Sequence, residues 1–353
     1  MASFLFRPEP PPAFSMVRTA LISGLLMALF TAMSTWVHPT YGWYIFLALP
    51  LVLGAGVSAY ATKKHDVSVG KILATTALSN AVACVSLLLL AVEGLICLVM
   101  ALPITTVGML VGVFLGRFAS RRGKAAFGSR VTIGIVPVIL AVVDGSNHEP
   151  IVRTVHSSVE IPAPPHVVWQ SVVAIPPLAE PTELVFRAGV AYPTHVTLRD
   201  TGVGALRICH FSTGDFVEPI TIWQPPSRLA FSVQRMPETM RELSPWDIHP
   251  EHLHGYFVTT NGSFRLESLP NQTTRLTGST TYYHSIQPEW YWRMWSEHII
   301  ASIHQRVLHH IRNHIITENH KQHSKKRLAQ NERTPLSLRR DSTDQTYSNS
   351  RQQ

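Results

Sequence analysis

Four ionisable side chains lie close together in the second half of the 353-residue sequence, around one predicted strand connection. Arg207 and His210 occur in a predicted strand, and Asp215 and Glu218 follow it. Side chains alternate between the two faces of a strand, so Arg207 and His210 are expected on opposite faces. The four groups therefore cannot all enter one site. If Arg207 faces inward, it requires an acidic partner. The two side chains are then either a polar site for an anionic group of a ligand or a structural ion pair.

Histidine pairs raise the question of a metal site. His252 and His254 would share one face of a strand, and His310 and His314 are one helical turn apart. No cysteine or acidic ligand lies at a metal-binding spacing, and a chain with 18 histidines forms such pairs by chance. We therefore expect neither a metal nor another cofactor. A histidine that acts as a general base with Asp215 or Glu242 remains an open alternative.

Aromatic side chains form the third group of candidates. Trp246 lies in Met236–His252, an irregular segment with three prolines that is either a lid over a cavity or a passive surface loop. Tyr291, Trp292 and Trp295 either line the mouth of a cavity or anchor the packing of a helix. No catalytic residue is assigned. The candidate ligand-binding residues are Arg207, His210, Asp215, Glu218, Trp246, His254, Tyr282, Tyr291, Trp292 and Trp295.

A long amphipathic helix must position the last of these residues. The pattern runs from Pro288 to about Thr317, and its apolar residues recur at spacings of three and four. That spacing places them on one stripe of a helix, which needs a partner surface. Ile303, at the centre of the stripe, is expected to be buried against a sheet. The stripe consists of Trp292, Trp295, Ile299, Ile303, Val307, Ile311 and Ile315.

The residues before this helix are typical of antiparallel strands. Thr154–Ile161 alternates as a strand, a short helix bounded by prolines follows, and further strands run from 194 to 284. This order predicts an α+β domain over residues 151–318, with a curved antiparallel sheet around the long C-terminal helix. The space between a curved sheet and a helix is usually apolar and holds a ligand.

Several motifs of this domain resemble the START-like superfamily, also called SRPBCC, which includes polyketide cyclases, aromatase/cyclases and lipid-transfer proteins. The opening Val159–Pro164, followed by Val168-Trp169, is similar to the N-terminal signature of the superfamily. Further motifs resemble a membrane-anchored subgroup. These are Gly204, Arg207-Ile208-Cys209, Phe211–Gly214, Glu218-Pro219-Ile220, Leu276-Thr277-Gly278, Thr281-Tyr282 and Tyr291-Trp292.

The resemblance covers roughly residues 151–318 and implies a helix-grip fold with a hydrophobic cavity. The superfamily contains binders, carriers and enzymes, so the resemblance implies no single chemistry. Catalytic residues differ between its branches, and none is transferred to this sequence.

The first third of the chain is apolar enough to form a membrane domain, which we place at residues 16–143. Four segments are long enough to cross a bilayer: 17–37, 43–61, 72–92 and 95–116. A signal peptide is the alternative for the first segment, but further spans follow at once and no cleavage site is evident. Glu93, between the last two spans, is either a buried functional carboxylate or the tip of a hairpin at the interface.

Basic residues predict the orientation of these spans. Lys and Arg precede the first span, lie between the second and third, and follow the fourth, whereas the connections 38–42 and 93–94 carry none. Four spans with the N-terminus inside therefore place every basic loop on the cytoplasmic side. The short apolar segment Val131–Val143 either lies at the interface or crosses as a fifth span. We expect the first arrangement, with the second half of the chain in the cytoplasm, in a bacterial inner (plasma) membrane.

The composition of the chain is consistent with this division. Hydrophobic residues make up 46% of the sequence and charged residues 15%, and the formal net charge is +8. Three cysteines form no disulfide framework. Residues 1–15 and the basic tail 319–353 are expected to be disordered, and 144–150 to be a linker. The tail suits anionic lipid headgroups rather than nucleic acid, for which interleaved aromatic residues are missing.

The sequence therefore predicts a membrane-anchored domain whose partners are the lipid bilayer and a hydrophobic or lipid-like small molecule. One alternative is an enzyme of the polyketide cyclase/dehydrase type that acts on a lipophilic substrate. The other is a membrane-tethered sensor or interaction protein whose cavity is filled. A convergent acid–base pair in the cavity would favour the enzyme, and a cavity without one favours the binding protein. The oligomeric state is left open.

Overall fold

A computed structural model of the protein describes residues 14–37, 41–65, 67–121, 139–140, 144, 149–248 and 255–333. Within these ranges, four helices are long and apolar enough to cross a membrane. They are α1 (Met16–Val37), α2 (Leu49–His65), α3 (Val69–Leu89) and α4 (Leu95–Arg121), with a π-helical turn at Tyr44–Ala48 before α2.

The four helices form a bundle of two pairs that small residues hold together. α1 packs on α3, where Ser23 Oγ and Ser79 Oγ are 2.7 Å apart, and α2 packs on α4. Glycines of α4 face α2, and a Cβ atom at Gly112 would lie 2.0 Å from the carbonyl oxygen of Leu51. Small residues let apolar helices approach closely, so that van der Waals packing stabilises the pair.

The two ends of the bundle differ in charge. At the basic end, Arg117 donates a hydrogen bond to the carbonyl oxygen of Val67, close to the lysines of the α2–α3 connection. The connections at the other end, 38–43 and 90–94, contain no Lys or Arg, and we call it the non-basic end. Asp144 lies there and accepts hydrogen bonds from the backbone N–H groups of Trp43 (2.9 Å) and Tyr44 (2.7 Å). Residues 121 and 144 therefore lie at opposite ends of the bundle.

The described part of residues 153–284 forms one antiparallel sheet of seven strands in the spatial order β1-β7-β6-β5-β4-β3-β2. Two short helices, α5 (Pro165–Val173) and α6 (Leu184–Arg187), carry the chain from one edge strand to the other. The strands are β1 (Arg153–Ile161), β2 (Pro193–Leu198), β3 (Leu206–Phe211), β4 (Gly214–Gln224), β5 (Arg228–Ser232), β6 (Phe257–Leu269) and β7 (Thr273–His284).

The sheet curves around a helix of 45 residues, α7 (Glu289–Arg333). A core of fully buried side chains fills the space between α5, the sheet and α7, including Ile161, Val168, Leu276 and Leu308. This architecture is the helix-grip fold that the resemblance implies. Both parts of the predicted fold class, the apolar helical domain and the α+β domain, are confirmed.

The stripe on α7 differs from the predicted one at its centre. Ile303 is half-buried, whereas Ile300, Leu308, Ile311 and Ile315 are buried. Ile303 lines a cavity between α7 and the sheet. The expectation that Ile303 is a buried core residue is therefore wrong.

α7 also ends later than predicted. Residues 319–333 continue the helix, although they were expected to begin a disordered tail. These residues include no Gly or Pro, and Lys, Gln, Arg, Leu and Ala favour a helix that is already nucleated. The remainder of the predicted tail, 334–353, lies outside the described residues, as do residues 1–13 of the predicted disordered N-terminus.

The sheet domain docks on the non-basic end of the bundle. Tyr291 at the start of α7 donates a hydrogen bond to the carbonyl oxygen of Met100 in α4. The backbone N–H of Gln287 donates to the carbonyl oxygen of Tyr41 at 2.9 Å. One apolar cluster fills the junction and joins the two parts of the molecule. It consists of Tyr41, Ile45, Phe46, Ile96, Met100, Ile104, Met240, Tyr291 and Trp292.

Candidate ligand-binding cavity

A cavity of about 270 Å³ lies between the sheet and α7 and continues into the helical bundle. α7 contributes Trp295, Ile299, Ile303 and Val307 to its wall, and strands β3 to β7 contribute side chains from the concave face of the sheet. Helices α1, α3 and α4 line the other end with residues such as Met27, Ala83, Leu98 and Leu102. The cavity therefore spans both parts of the molecule, and its lining is largely apolar.

An ion pair forms the polar part of the cavity at its sheet end. Arg207 and Glu218 lie directly opposite each other on β3 and β4, and their side chains are paired. Arg207 is 3% exposed and Glu218 5% exposed, and both line the cavity. The guanidinium carbon of Arg207 lies 4.6 Å from the centre of the Phe231 ring, whose face attracts the cation. Arg207 Nε has no hydrogen-bond partner, so one donor remains available to a bound molecule.

His304 ties α7 to the sheet at the cavity wall. Its Nε2 lies 2.7 Å from Thr280 Oγ1, and its Nδ1 lies 3.2 Å from Ser157 Oγ. Burial and, to a smaller extent, the nearby His156 together lower the pKa of His304 to about 4. The imidazole is therefore neutral at pH 7, with one nitrogen donating and the other accepting a hydrogen bond.

Two further titratable groups meet where the cavity passes from the sheet domain into the bundle. Burial raises the pKa of Glu93 to about 8, although its hydrogen bond with Tyr41 acts in the opposite direction. Burial also raises the pKa of Tyr41, so its hydroxyl group stays protonated. Glu93 lines the cavity and at pH 7 is largely a neutral acid. The structure thus places it inside the molecule, where the sequence left a choice between a functional carboxylate and a hairpin tip.

Glu242 fixes the irregular segment after β5 to the bundle. Its carboxylate accepts hydrogen bonds from the backbone N–H of Ile96 (3.3 Å) and from Cys97 Sγ. A carboxylate at the N-terminus of a helix satisfies unpaired N–H groups and complements the helix dipole. Gly94 provides the space, since a Cβ atom there would lie 2.0 Å from Glu242 Oε2. The segment predicted as a lid or a loop is therefore docked on α4, and its part 236–240 helps to line the cavity.

Two buried side chains near the junction lack hydrogen-bond partners. Trp292 Nε1 and both ring nitrogens of His284 are buried without one, and both residues line the cavity. Burial lowers the pKa of His284, which favours the neutral ring. Buried polar atoms are nearly always hydrogen-bonded. These atoms are therefore positioned to bind the polar group of a molecule in the cavity.

The residues proposed from the sequence divide between the cavity and other places. Arg207, Glu218, Trp292 and Trp295 line the cavity. His210 and Asp215 do not: they pair with each other at 2.7 Å on the opposite face of β3. The acidic partner of Arg207 is thus Glu218. The expectation that alternation separates Arg207 from His210 agrees with this placement.

The four other candidates contribute to packing or lie elsewhere. Tyr282 is fully buried and stacks on Phe257, with ring centres 5.4 Å apart, and Tyr291 anchors α7 to α4. Trp246 is 52% exposed and donates a hydrogen bond from Nε1 to the carbonyl oxygen of Leu89 at 3.2 Å. His254 lies outside the described residues. In the part of the chain that the structure describes, no group of His, Cys, Asp or Glu side chains is arranged to hold a metal ion.

Two functional candidates were not identified from the sequence. His304 interrupts the apolar stripe of α7, and a single histidine at a buried helical position is a signal that could have indicated it. Cys97 has no such signal, because a cysteine in an apolar helix resembles any small hydrophobic residue. Its contact with Glu242 joins residues 145 positions apart, which no local pattern predicts.

Comparisons with known proteins give similarities of fold only. No protein-family model and no curated protein sequence matches the chain. About half of it is similar to the solved structure of norcoclaurine synthase from Thalictrum flavum, with 12% identity, 48% of this chain and 97% of that chain covered, and a TM-score of 0.30. An aromatase/cyclase from a Streptomyces species has 14% identity, coverage of 46% and 93%, and a TM-score of 0.30. A protein from Nitrosospira multiformis has 17% identity, coverage of 46% and 94%, and a TM-score of 0.29.

Proposed function

We propose that this protein is anchored in a membrane and binds a hydrophobic or lipid-like small molecule in the cavity between its sheet, α7 and the helical bundle. The observation that carries the proposal is the continuation of one apolar cavity from the sheet domain into the bundle. A molecule that occupies the bundle part lies among Met27, Ala83 and Leu98 and finds few polar partners there. Its buried part must therefore be apolar.

The few polar groups of the cavity favour a ligand with an apolar body and a hydrogen-bonding group. The free donor of Arg207 lies at the sheet end, and the unpaired atoms of His284 and Trp292 lie near the junction. Apolar burial would supply most of the affinity, at about 25 cal/mol per Å² of apolar surface. The polar groups would then orient the ligand.

Mass spectrometry of molecules that co-purify with the full-length protein tests this proposal. Ile303→Trp places a large side chain in the cavity, and Gln305→Trp places the same side chain on the exposed face of α7. We expect an apolar molecule to co-purify with the parent and with Gln305→Trp, and to be reduced at least tenfold with Ile303→Trp. The same amount of bound molecule in both variants would contradict the proposal.

We also infer that the sheet domain lies on the non-cytoplasmic side of the membrane, contrary to the expectation from the sequence. The domain contacts Tyr41 in the connection 38–43, and its Glu242 binds the start of α4 directly after the connection 90–94. Neither connection carries Lys or Arg. The basic end of the bundle is the end that the positive-inside rule assigns to the cytoplasm. Asp144 lies at the non-basic end and Arg121 at the other, and most of the segment Val131–Val143 between them lies outside the described residues.

An enzyme is the second candidate function, because an acid and a base line the same cavity. Glu93 has a pKa raised to about 8 by burial and can donate a proton at pH 7. His284 has a lowered pKa and a neutral ring that can accept one. In an enzyme, Glu93→Gln would reduce conversion of the co-purified molecule by about 100-fold or more while binding is retained. Recovery of the same intact molecule from the parent and from Glu93→Gln would favour the binding protein.

A further inference from the structure

A second space of about 500 Å³ forms a groove on the outside of the bundle, along the seam between α3 and α4. Its lining is apolar and includes Val85 and Val99, which are 56% and 54% exposed. These side chains face the surroundings of the bundle and not its interior. On helices of membrane-spanning length and composition, such a surface meets the hydrocarbon chains of lipids.

A thin wall separates this groove from the cavity. Four residues line both spaces: Asn80, Cys84, Leu98 and Leu102. α3 and α4 also contact each other less extensively than they contact α1 and α2, their partners in the two helix pairs. The wall is therefore one side chain thick and lies between two helices that are not partners in a helix pair.

α3 and α4 are connected at two places along the seam. The wall between these two places consists of side chains that can move. Asn80 Nδ2 donates hydrogen bonds to Thr106 Oγ1 (3.1 Å) and Thr105 Oγ1 (3.4 Å), which connect α3 to α4 near their middle. The short connection 90–94 joins the same helices at the non-basic end. Between these two limits the wall consists of the small Cys84 and of leucine side chains that can change rotamer. An opening here requires no backbone hydrogen bond to break.

We propose that the groove holds a hydrocarbon chain from the bilayer and that the chain enters the cavity between α3 and α4, past Cys84, Leu98 and Leu102. This inference rests on the proposed function and deepens it: the ligand comes from the membrane and carries a slender apolar chain. Transfer along the seam keeps that chain away from water throughout, so no exposed apolar intermediate has to form. A bulky rigid molecule does not fit a wall opened by side-chain rotation alone.

The test uses the full-length protein in phosphatidylcholine vesicles, with N-dodecylmaleimide dissolved in the bilayer as the probe. Cys209 reports arrival, because it lines the sheet end of the cavity and is only 7% exposed. Every protein tested carries Cys84→Ala, so that the probe cannot block the seam by reacting there. Leu102→Trp thickens the wall. Val107→Trp on the same helix is the matched control, since Val107 is 55% exposed and lines neither space.

We expect the rate of Cys209 alkylation, measured by mass spectrometry, to fall at least tenfold in Leu102→Trp and to stay unchanged in Val107→Trp. Leu102→Phe, a smaller change that serves if the tryptophan variant does not fold, should slow the reaction by a smaller factor. Equal rates in all three variants would contradict entry between α3 and α4. The probe would then reach the cavity by another path, and the proposed function would stand. Failure to alkylate Cys209 in the parent, with alkylation restored in denaturing detergent, would overturn the entrance and the proposed function together.

Discussion

Arg207 and Glu218 form a buried ion pair at the sheet end of the cavity. Alternation along β3 was sufficient to place Arg207 and His210 on opposite faces, and burial of an arginine required an acid beside it. The sequence did not distinguish Asp215 from Glu218, because that choice depends on the register of the β3–β4 hairpin. In the structure Arg207 pairs with Glu218 across the strands, and His210 pairs with Asp215 three residues nearer the turn.

A single glycine controls how closely the sheet domain docks on the bundle. A Cβ atom at Gly94 would meet the carboxylate of Glu242, so Gly94→Ala should displace Glu242 from the N-terminus of α4. We expect a lower melting temperature and faster proteolysis of the segment 236–248 in the detergent-solubilised protein. Gly70→Ala is the matched control, because nothing lies within 4 Å of a Cβ atom there. Equal behaviour of the two variants would show that Glu242 does not hold the domain.

Protonation of His304 should make stability depend on pH. Its pKa of about 4 in the folded protein lies below the usual value of 6.5, so the unfolded chain binds the proton more tightly. The stability that His304 contributes is therefore complete above about pH 6.5 and is lost as the pH falls towards 4. At about 1.4 kcal/mol per pH unit, the loss approaches 3 kcal/mol.

The measurement for His304 compares melting temperatures at pH 7.5 and 4.5. His304→Gln can keep hydrogen bonds to Thr280 and Ser157 without titrating, so its melting temperature should fall less between these values than that of the parent. His284, whose pKa is also lowered, contributes equally to both proteins and cancels in the comparison. An identical decrease in parent and variant would mean that His304 is not buried as a neutral ring.

At the scale of elements, the strands and the long helix were predictable and the cavity beside the helix was not. Alternation and turn residues placed β7 at 273–284, as the structure has it. The spacing of the apolar residues identified α7. The same spacing occurs whether a side chain packs on a sheet or borders a cavity, so the sequence does not distinguish these two environments. Ile303 and Ile311 are therefore equivalent in the predicted stripe, although the first lines the cavity and the second lies in the core.

Truncation of these two side chains separates core from cavity wall. Ile311 is fully buried in the core and does not line the cavity, so Ile311→Ala should reduce the free energy of unfolding by about 2–5 kcal/mol. Ile303→Ala removes a side chain that already borders a space, so the loss should be about 1 kcal/mol. Denaturant titration of the detergent-solubilised protein gives both values. Similar losses for the two variants would contradict the presence of a cavity beside Ile303.

For the whole molecule, the sequence separated a membrane domain from a helix-grip domain but could not indicate how the two meet. Hydropathy and charge are properties of each segment alone, whereas the shared cavity depends on contacts between distant residues. The contacts of Tyr291 with Met100 and of Glu242 with the start of α4 decide which end of the bundle carries the domain. That end is the one without basic residues, so the side of the membrane that we propose differs from the side expected from the basic tail.

The side of the membrane can be tested in intact cells with single cysteines in the full-length protein after removal of the three natural ones. Val203→Cys lies on an exposed loop of the sheet domain, and Arg121→Cys lies at the basic end of the bundle. If the positive-inside rule holds and the domain docks on the non-basic end, a membrane-impermeant maleimide should label residue 203 in intact cells. It should label residue 121 only after permeabilisation. α4 is about 40 Å long at 1.5 Å per residue, so a label at one end does not report on the other. The opposite labelling pattern would place the domain in the cytoplasm and reverse the orientation of the bundle. Labelling of both residues only after permeabilisation would require the docking of the domain on the non-basic end to be wrong.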